Sequence, residues 1–456
     1  MTIATTNPAT NETLKSFDTL TKDETIEAVK KADAAYRQWK ETSFEDRKSV
    51  LLRFAEQLRS RSDEFAKLIS TEMGKRIAES EHEIEYCAKI SEFYANDGEN
   101  FLADEPLDVE NANAYIQHAP LGVLLGVMPW NFPFYQVVRF AAPNIMAGNV
   151  VMVKHAGNVP QCAEAIANLY AECGLPNHVF TNLFIPTEFV ELIIDDSSVQ
   201  GVSLTGSEKA GAAVAGAAGK NLKRSVLELG GNDPFIVLED ADMKSTVESA
   251  VKGRLVNAGQ SCVAAKRFIV IESVADEFLS AFKEQMGSLK IGDPLDEATT
   301  LGPLSSEAAA KNLADQVKSA IDAGATVVLG GDRPDREGAY FNATILTGVT
   351  PDMPTFDQEL FGPVATVYVV KDEEEAIELA NNSSFGLGGS VHTRDIRRGE
   401  RIAQRIESGM VFVNQPTQSS AELPFGGIKN SGYGRELSHL GILEFVNKKL
   451  IHLPSE

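Results

Sequence analysis

Val202-Ser203-Leu204-Thr205-Gly206-Ser207, running on into Glu208-Lys209-Ala210-Gly211-Ala212-Ala213-Val214-Ala215-Gly216, is the stretch that decides the fold. An apolar run turns through glycine into a helix of small residues, the pattern of a strand feeding a helix packed closely on a sheet. The start of such a helix has free backbone N–H groups, and its dipole favours a phosphate. The G-x-G-x-x-G fingerprint is absent, so these residues alone fit a glycine-rich turn with tight packing equally well.

Outward from this junction the same alternation continues. Apolar runs at 150–153, 179–184 and 199–204 flank a helical segment at 161–173, as in a parallel sheet with crossover helices. A second set follows at 234–238, 267–271, a helix through Phe278 and Phe282, 326–329 and 364–370. Two α/β domains are expected, with the divide near Gly230-Gly231. Ile26, Val29, Ala32, Tyr36 and Trp39, then Val50, Leu51, Phe54, Leu58 and Phe65, recur at helical spacing and predict a helical scaffold. Residues 114–127 read as a strand pair ahead of a loop stiffened by Pro129 and Pro133.

A chain of 456 residues exceeds one ordinary core, so two or three domains and a cleft between them are expected. The 42 basic against 65 acidic residues leave a net charge of −23, which disfavours nucleic acid or an anionic membrane as partner. Four scattered cysteines without a CxxC pair fit a reducing compartment. The N-terminus has neither a basic nor an apolar signal region, no apolar stretch reaches spanning length, and a cytoplasmic location is expected. The seven histidines are dispersed without ligand spacing, so no metal is expected.

Chemistry concentrates in two segments, Leu227-Glu228-Leu229-Gly230-Gly231 and Asn257-Ala258-Gly259-Gln260-Ser261-Cys262. They offer a thiol nucleophile and a separate carboxylate that can activate water, a division of labour suited to oxidising an aldehyde through sulfur. Cys87, Cys162 and Cys173 sit among apolar residues at helical spacing and read as inert core thiols. Cys262 follows a glycine and two polar residues, where an electropositive, partly open setting with a lowered thiol pKa is expected. Lys154-His155-Ala156-Gly157-Asn158 closes another strand at the end where open α/β sheets bind ligands; taken alone, Lys154 is a solvated charge.

With these segments in order, the whole chain resembles the aldehyde dehydrogenase superfamily. The matching pieces are Pro129-Trp130-Asn131-Phe132-Pro133, Lys154-His155-Ala156, Thr205-Gly206-Ser207, the Glu228 and Cys262 segments, Glu359-Leu360-Phe361-Gly362-Pro363, and Pro424-Phe425-Gly426-Gly427-Ile428-Lys429-Asn430-Ser431-Gly432. The resemblance implies a Rossmann-like cofactor domain (1–110 and 129–230), an α/β catalytic domain (231–430) and a small β oligomerisation flap (111–128 and 431–456). It implies a homodimer or dimer of dimers. Cys262 would be the nucleophile, Glu228 the base, and Asn131 with the Cys262 N–H the oxyanion donors. Trp130 and Ser207 would meet the cofactor pyrophosphate, Glu359 its nicotinamide ribose and Phe361 the ring, with Lys154, His155, Ala156, Gly157, Gly206 and Leu229 completing the cofactor site.

Gly157 departs from the family pattern of Glu, which repels a 2′-phosphate, or Ser, which binds it. With Lys154 and His155 beside it and no carboxylate, NADP is the expected cofactor, with NAD also usable. Within the superfamily the likeness is greatest to the shorter bacterial succinate-semialdehyde dehydrogenases, through Arg139, the segment Cys262-Val263-Ala264-Ala265-Lys266-Arg267-Phe268, and Ser419-Ser420. Arg139 would clamp a substrate carboxylate and Ser419 would add a hydroxyl donor. Without the resemblance, Arg139 reads as a surface ion pair. Longer members of this substrate group carry a second arginine where this chain has Val256, and several carry a redox-switch cysteine where it has Ala264. The alternatives are a dehydrogenase of other aliphatic or glutarate-type semialdehydes, a CoA-acylating enzyme, against which Glu228 speaks, and a catalytically silent protein on the same fold.

Overall fold

The computed structural model describes residues 2–110 and 112–454. The N-terminal scaffold is helical for local reasons. Helices Lys22–Trp39 and Phe44–Ser60 each begin in a capping box, Thr21 with Glu24 and Ser43 with Asp46, and each buries one stripe. Behind them lies the long helix Ile77–Phe101.

This scaffold packs on a six-stranded sheet, in the order Gly432–Tyr433, Arg224–Glu228, Val199–Thr205, Val123–Met128, Val150–His155 and Phe180–Asn182. All pairs are parallel except the one made by Gly432–Tyr433. Its strand Val199–Thr205 turns through Gly206 into helix Glu208–Lys220, as the sequence predicts. A second, seven-stranded sheet runs Thr326–Leu329, Thr344–Thr347, Val364–Val370, Arg267–Ile271, Pro234–Val237, Ser390–His392 and Phe412–Val413, parallel beyond its first pair. Each sheet has its own apolar core, one around Leu124, Val151 and Phe140, the other around Phe235, Phe268 and Phe282. The mixed α/β class is therefore as expected.

One boundary differs. Residues 114–127 do not pair with each other. Ala112–Pro120 joins Glu105–Leu107 and Val446–Pro454 in a separate three-stranded antiparallel sheet, whereas Val123–Met128 lies in the middle of the six-stranded sheet. The cause is visible in the residues: Val123, Leu124 and Leu125 form an unbroken apolar run covered on both faces, as a central parallel strand requires. Tyr115, Ile116, Gln117 and His118 have only partial cover, as in a half-solvated sheet. Gly432–Tyr433 likewise leaves the expected flap for the edge of the six-stranded sheet, beside Glu228. No helix among the described residues is long and apolar enough to cross a membrane.

Candidate active site

Glu228 ends its strand and is almost fully enclosed, with 1% exposure. Among the described residues neither of its carboxylate oxygens has a hydrogen-bond partner. Burial raises its pKa well above the ordinary carboxylate value and nearby Glu436 adds to this, while Arg139 and Arg435 pull the other way. A buried carboxyl with a raised pKa can hold a proton and act as a base once ionised.

Cys262 is half-buried, whereas Cys87, Cys162 and Cys173 are buried, as expected of core thiols. Cys262 does not have the lowered pKa that its sequence context suggests. Burial pushes the thiol up to about 12, and the cations that act on it, Arg139 and Lys266, only partly offset this. The electropositive groups are present, but desolvation outweighs them.

The Glu228 and Cys262 segments touch at Gly231, where a Cβ would lie 2.5 Å from the Cys262 carbonyl oxygen; only glycine lets the two loops meet. Lys266 braces the contact. Its Nζ donates to the carbonyls of Ser261, Cys262 and Ala264 at 3.1, 2.8 and 3.1 Å and pairs with Glu359 Oε1 at 3.2 Å. The same Glu359 oxygen accepts from Gly231 N at 3.1 Å. Sequence reasoning gave Lys266 no role of its own, although a lysine at the mouth of the apolar strand Arg267–Ile271 was a usable signal.

Asn131 is buried beside this loop. Its Nδ2 donates to the Gln260 carbonyl at 3.1 Å, which leaves the second amide hydrogen for another acceptor. The Trp130 and Phe361 rings meet edge to face with centroids 5.8 Å apart. Gly206, Ser207, Leu229 and residues 154–157, which the resemblance assigns to the cofactor, lie at or just beyond the ends of strands Val199–Thr205, Arg224–Glu228 and Val150–His155.

At these strand ends Ser207 caps helix Glu208–Lys220 by accepting from Ala210 N, and Leu229 packs its methyl groups against Gly211 of the same helix. Lys154 sits half-buried at the end of strand Val150–His155, its pKa lowered by burial, with no carboxylate partner among the described residues. Next to Ala156, Gly157 is exposed, and a Cβ there would touch only Ile3, at 3.6 Å. An unpaired ammonium, a helix N-terminus beside Gly206 and an open strand end suit an anionic dinucleotide.

Two of the predicted site residues stand differently. His155 is buried; its Nε2–H donates to the Pro133 carbonyl at 2.8 Å and its Nδ1 accepts from Ala156 N at 2.8 Å. Burial pushes its pKa down to about 4, so it is a neutral brace for the Asn131 loop and supplies no charge to a phosphate.

Arg139 is neither a surface ion pair nor an open clamp. Every residue of its helix, Tyr135–Ala147, is buried, so no face is left for it to reach solvent. Its guanidinium pairs with Glu436, donates to Tyr135 Oη at 3.1 Å and Thr205 Oγ1 at 3.2 Å, and lies 4.6 Å from the Phe425 ring. The Tyr135 hydroxyl, like that of Tyr86, lies close to half-buried Ser419.

A profile of the aldehyde dehydrogenase family matches residues 1–451. A succinate-semialdehyde dehydrogenase (NADP+) of Deinococcus radiodurans is 51% identical, over 98% of this chain and 94% of its own length. Another so named, from Mycobacterium bovis, is 46% identical over 99% of each chain. The crystal structure of succinic semialdehyde dehydrogenase from Streptococcus pyogenes in complex with NADP+ superposes with a TM-score of 0.98 at 43% identity, covering 99% of this chain and 100% of that one. From its sequence, its two sheets and the meeting of the Glu228 and Cys262 loops, this chain belongs to the aldehyde dehydrogenase family.

Proposed function

We propose that this chain oxidises succinate semialdehyde to succinate, with NADP as hydride acceptor, through a thioester on Cys262. The observation that carries the reaction class is the half-open Cys262 thiol against a loop whose Glu228 carboxyl is buried and unpartnered. The substrate and cofactor rest on the names of relatives at 46–51% identity and on the cationic, carboxylate-free strand end at Lys154.

Cys262 gives up its proton to solvent water and Sγ adds to the aldehyde carbon. The carbonyl oxygen becomes an oxyanion that accepts from the Asn131 amide and the Cys262 backbone N–H; one such donor contributes roughly 2.7–4 kcal/mol. The chemistry a bound dinucleotide supplies is acceptance of the hydride that leaves as the thioester forms. Ionised Glu228 then takes a proton from water, the resulting hydroxide attacks the thioester, and Sγ departs. Ser207 and Trp130 would hold the pyrophosphate, Lys154 a ribose or its phosphate, and Leu229, Glu359 and Phe361 the nicotinamide half. For the substrate carboxylate the available donors are the hydroxyls of Ser419, Tyr86 and Tyr135, with the Arg139 charge behind Tyr135.

An aldehyde panel tests this assignment. Succinate semialdehyde is expected to exceed butanal and benzaldehyde by at least roughly tenfold in kcat/KM, with glutarate semialdehyde between, because a site built to hydrogen-bond a group rejects analogues that lack it. Equal values for butanal would remove the carboxylate site. The Gly157 edge has room for a serine hydroxyl without displacing a neighbour. Gly157→Ser is therefore expected to raise the NADP over NAD ratio of kcat/KM by roughly 10- to 150-fold, the effect of one hydrogen bond to a charged group. An unchanged ratio would place the 2′-phosphate elsewhere.

The three-stranded sheet, with Leu450 61% and Leu453 47% exposed, we read as the docking surface of a homodimer or dimer of dimers. Free cysteines suit the cytoplasm.

A further inference from the structure

We infer that Glu79 is a positioning residue for the oxyanion site, holding the Cys262 loop in the turn that presents its donors. Glu79 and Glu83 lie one turn apart near the start of helix Ile77–Phe101, on the same face. Each fastens one of the two loops that meet at the site. Glu83 Oε1 accepts from Phe134 N and Tyr135 N, at 2.9 and 3.0 Å, just beyond Asn131. Glu79 Oε1 accepts from Asn257 N at 3.0 Å, at the head of the segment that leads to Cys262.

That segment needs holding. Asn257, Ala258 and Gly259 have consecutive φ angles of +53°, +53° and +78°. Asparagine tolerates the left-handed region and glycine is at home there, but a buried alanine is not. Such a turn persists only when its surroundings over-determine it. Arg254 Nη2 holds its far end through the Gly259 carbonyl at 2.8 Å, and Glu79 holds its near end. The Asn257 side chain then ties the two loops together, donating to the Asn131 carbonyl at 2.8 Å and the Gln260 carbonyl at 3.2 Å. Without the Glu79 acceptor Asn257 is released, Ala258 relaxes, and the Asn131 amide and Cys262 N–H no longer converge. Glu79 touches no reacting atom; it acts through these donors.

Reach separates this role from a charge effect, because Glu79 Oε2 also pairs with half-buried Arg76 at 3.0 Å. Glu79→Gln keeps a carbonyl acceptor at the same reach and loses the charge. Glu79→Asp keeps the charge and falls one methylene short. The measurement is the kcat/KM for succinate semialdehyde of Gln, Asp and Ala variants at position 79, in the wild-type and Asn131→Ala backgrounds, with cofactor affinity and thermal melting of each. Gln is expected within about threefold of wild type, and Asp and Ala to fall by roughly 10- to 100-fold, up to the effect of one oxyanion donor. Cofactor affinity stays unchanged. In the Asn131→Ala background the Asp and Ala changes should lose less than about threefold, since coupled residues are not additive. An active Asp variant beside an inactive Gln variant, a flat series, or equal losses in both backgrounds would overturn the inference. If the Ala variants do not fold, the Gln–Asp contrast decides alone. The inference rests on the thioester reading, but the wild-type turnover and the Cys262 adduct test that reading separately, so either can fail without the other.

Discussion

Cys262→Ala is expected to abolish turnover, with a loss of at least roughly 10⁴-fold in kcat and unchanged cofactor affinity, because no other group can carry the acyl intermediate. The three remaining cysteines are buried where Cys262 is only half-buried, so none can reach the substrate in its place. Cys262→Ser tests the same point with nearly equal volume; its hydroxyl is a far weaker nucleophile and activity should stay close to background. The measurement is cofactor reduction followed by absorbance, with cofactor binding titrated in parallel. Undiminished rates in the alanine form would mean that sulfur is not the nucleophile.

Glu228→Gln is expected to split the reaction in two. Acylation leaves one equivalent of reduced cofactor, and steady-state turnover then falls roughly 10²- to 10⁴-fold because water lacks its base. A pH profile sharpens the assignment. The Glu228 carboxyl is held above the ordinary value by burial and Glu436, so its basic form grows as pH rises, and deacylation should rise with pH through that raised pKa. Low pH is the inactive side. Glutamine at 228 should remove this rise while leaving any limb that belongs to the Cys262 thiol, whose pKa is pushed up to about 12. A profile unchanged by the substitution would assign the base elsewhere.

Much of the fold was legible because it is written in local patterns. The strand-to-helix junction at Thr205-Gly206-Ser207 and the strands Arg267–Ile271 and Val364–Val370 fall where their apolar runs predict. The partner of a strand is not local information. Val123–Met128 looked like half of a hairpin, yet its continuous burial marks it as central. Arg139 and His155 show a related limit: sequence gives a residue's chemistry but not the depth of the face that carries it, and both side chains are enclosed. The pKa of Cys262 follows from a balance between desolvation and two cations brought from residues 139 and 266, which no spacing along the chain reveals. The bond from Asn257 to Glu79 spans 178 residues, so the brace on the nucleophile loop emerges only in three dimensions.

The most direct test of the account is to mix Glu228→Gln with succinate semialdehyde and NADP, quench in acid, digest, and locate the label by mass spectrometry. The account predicts a succinyl group on the peptide containing Cys262, in an amount matching the first equivalent of reduced cofactor. Cofactor reduction with no adduct on Cys262, or an adduct on another residue, would contradict it.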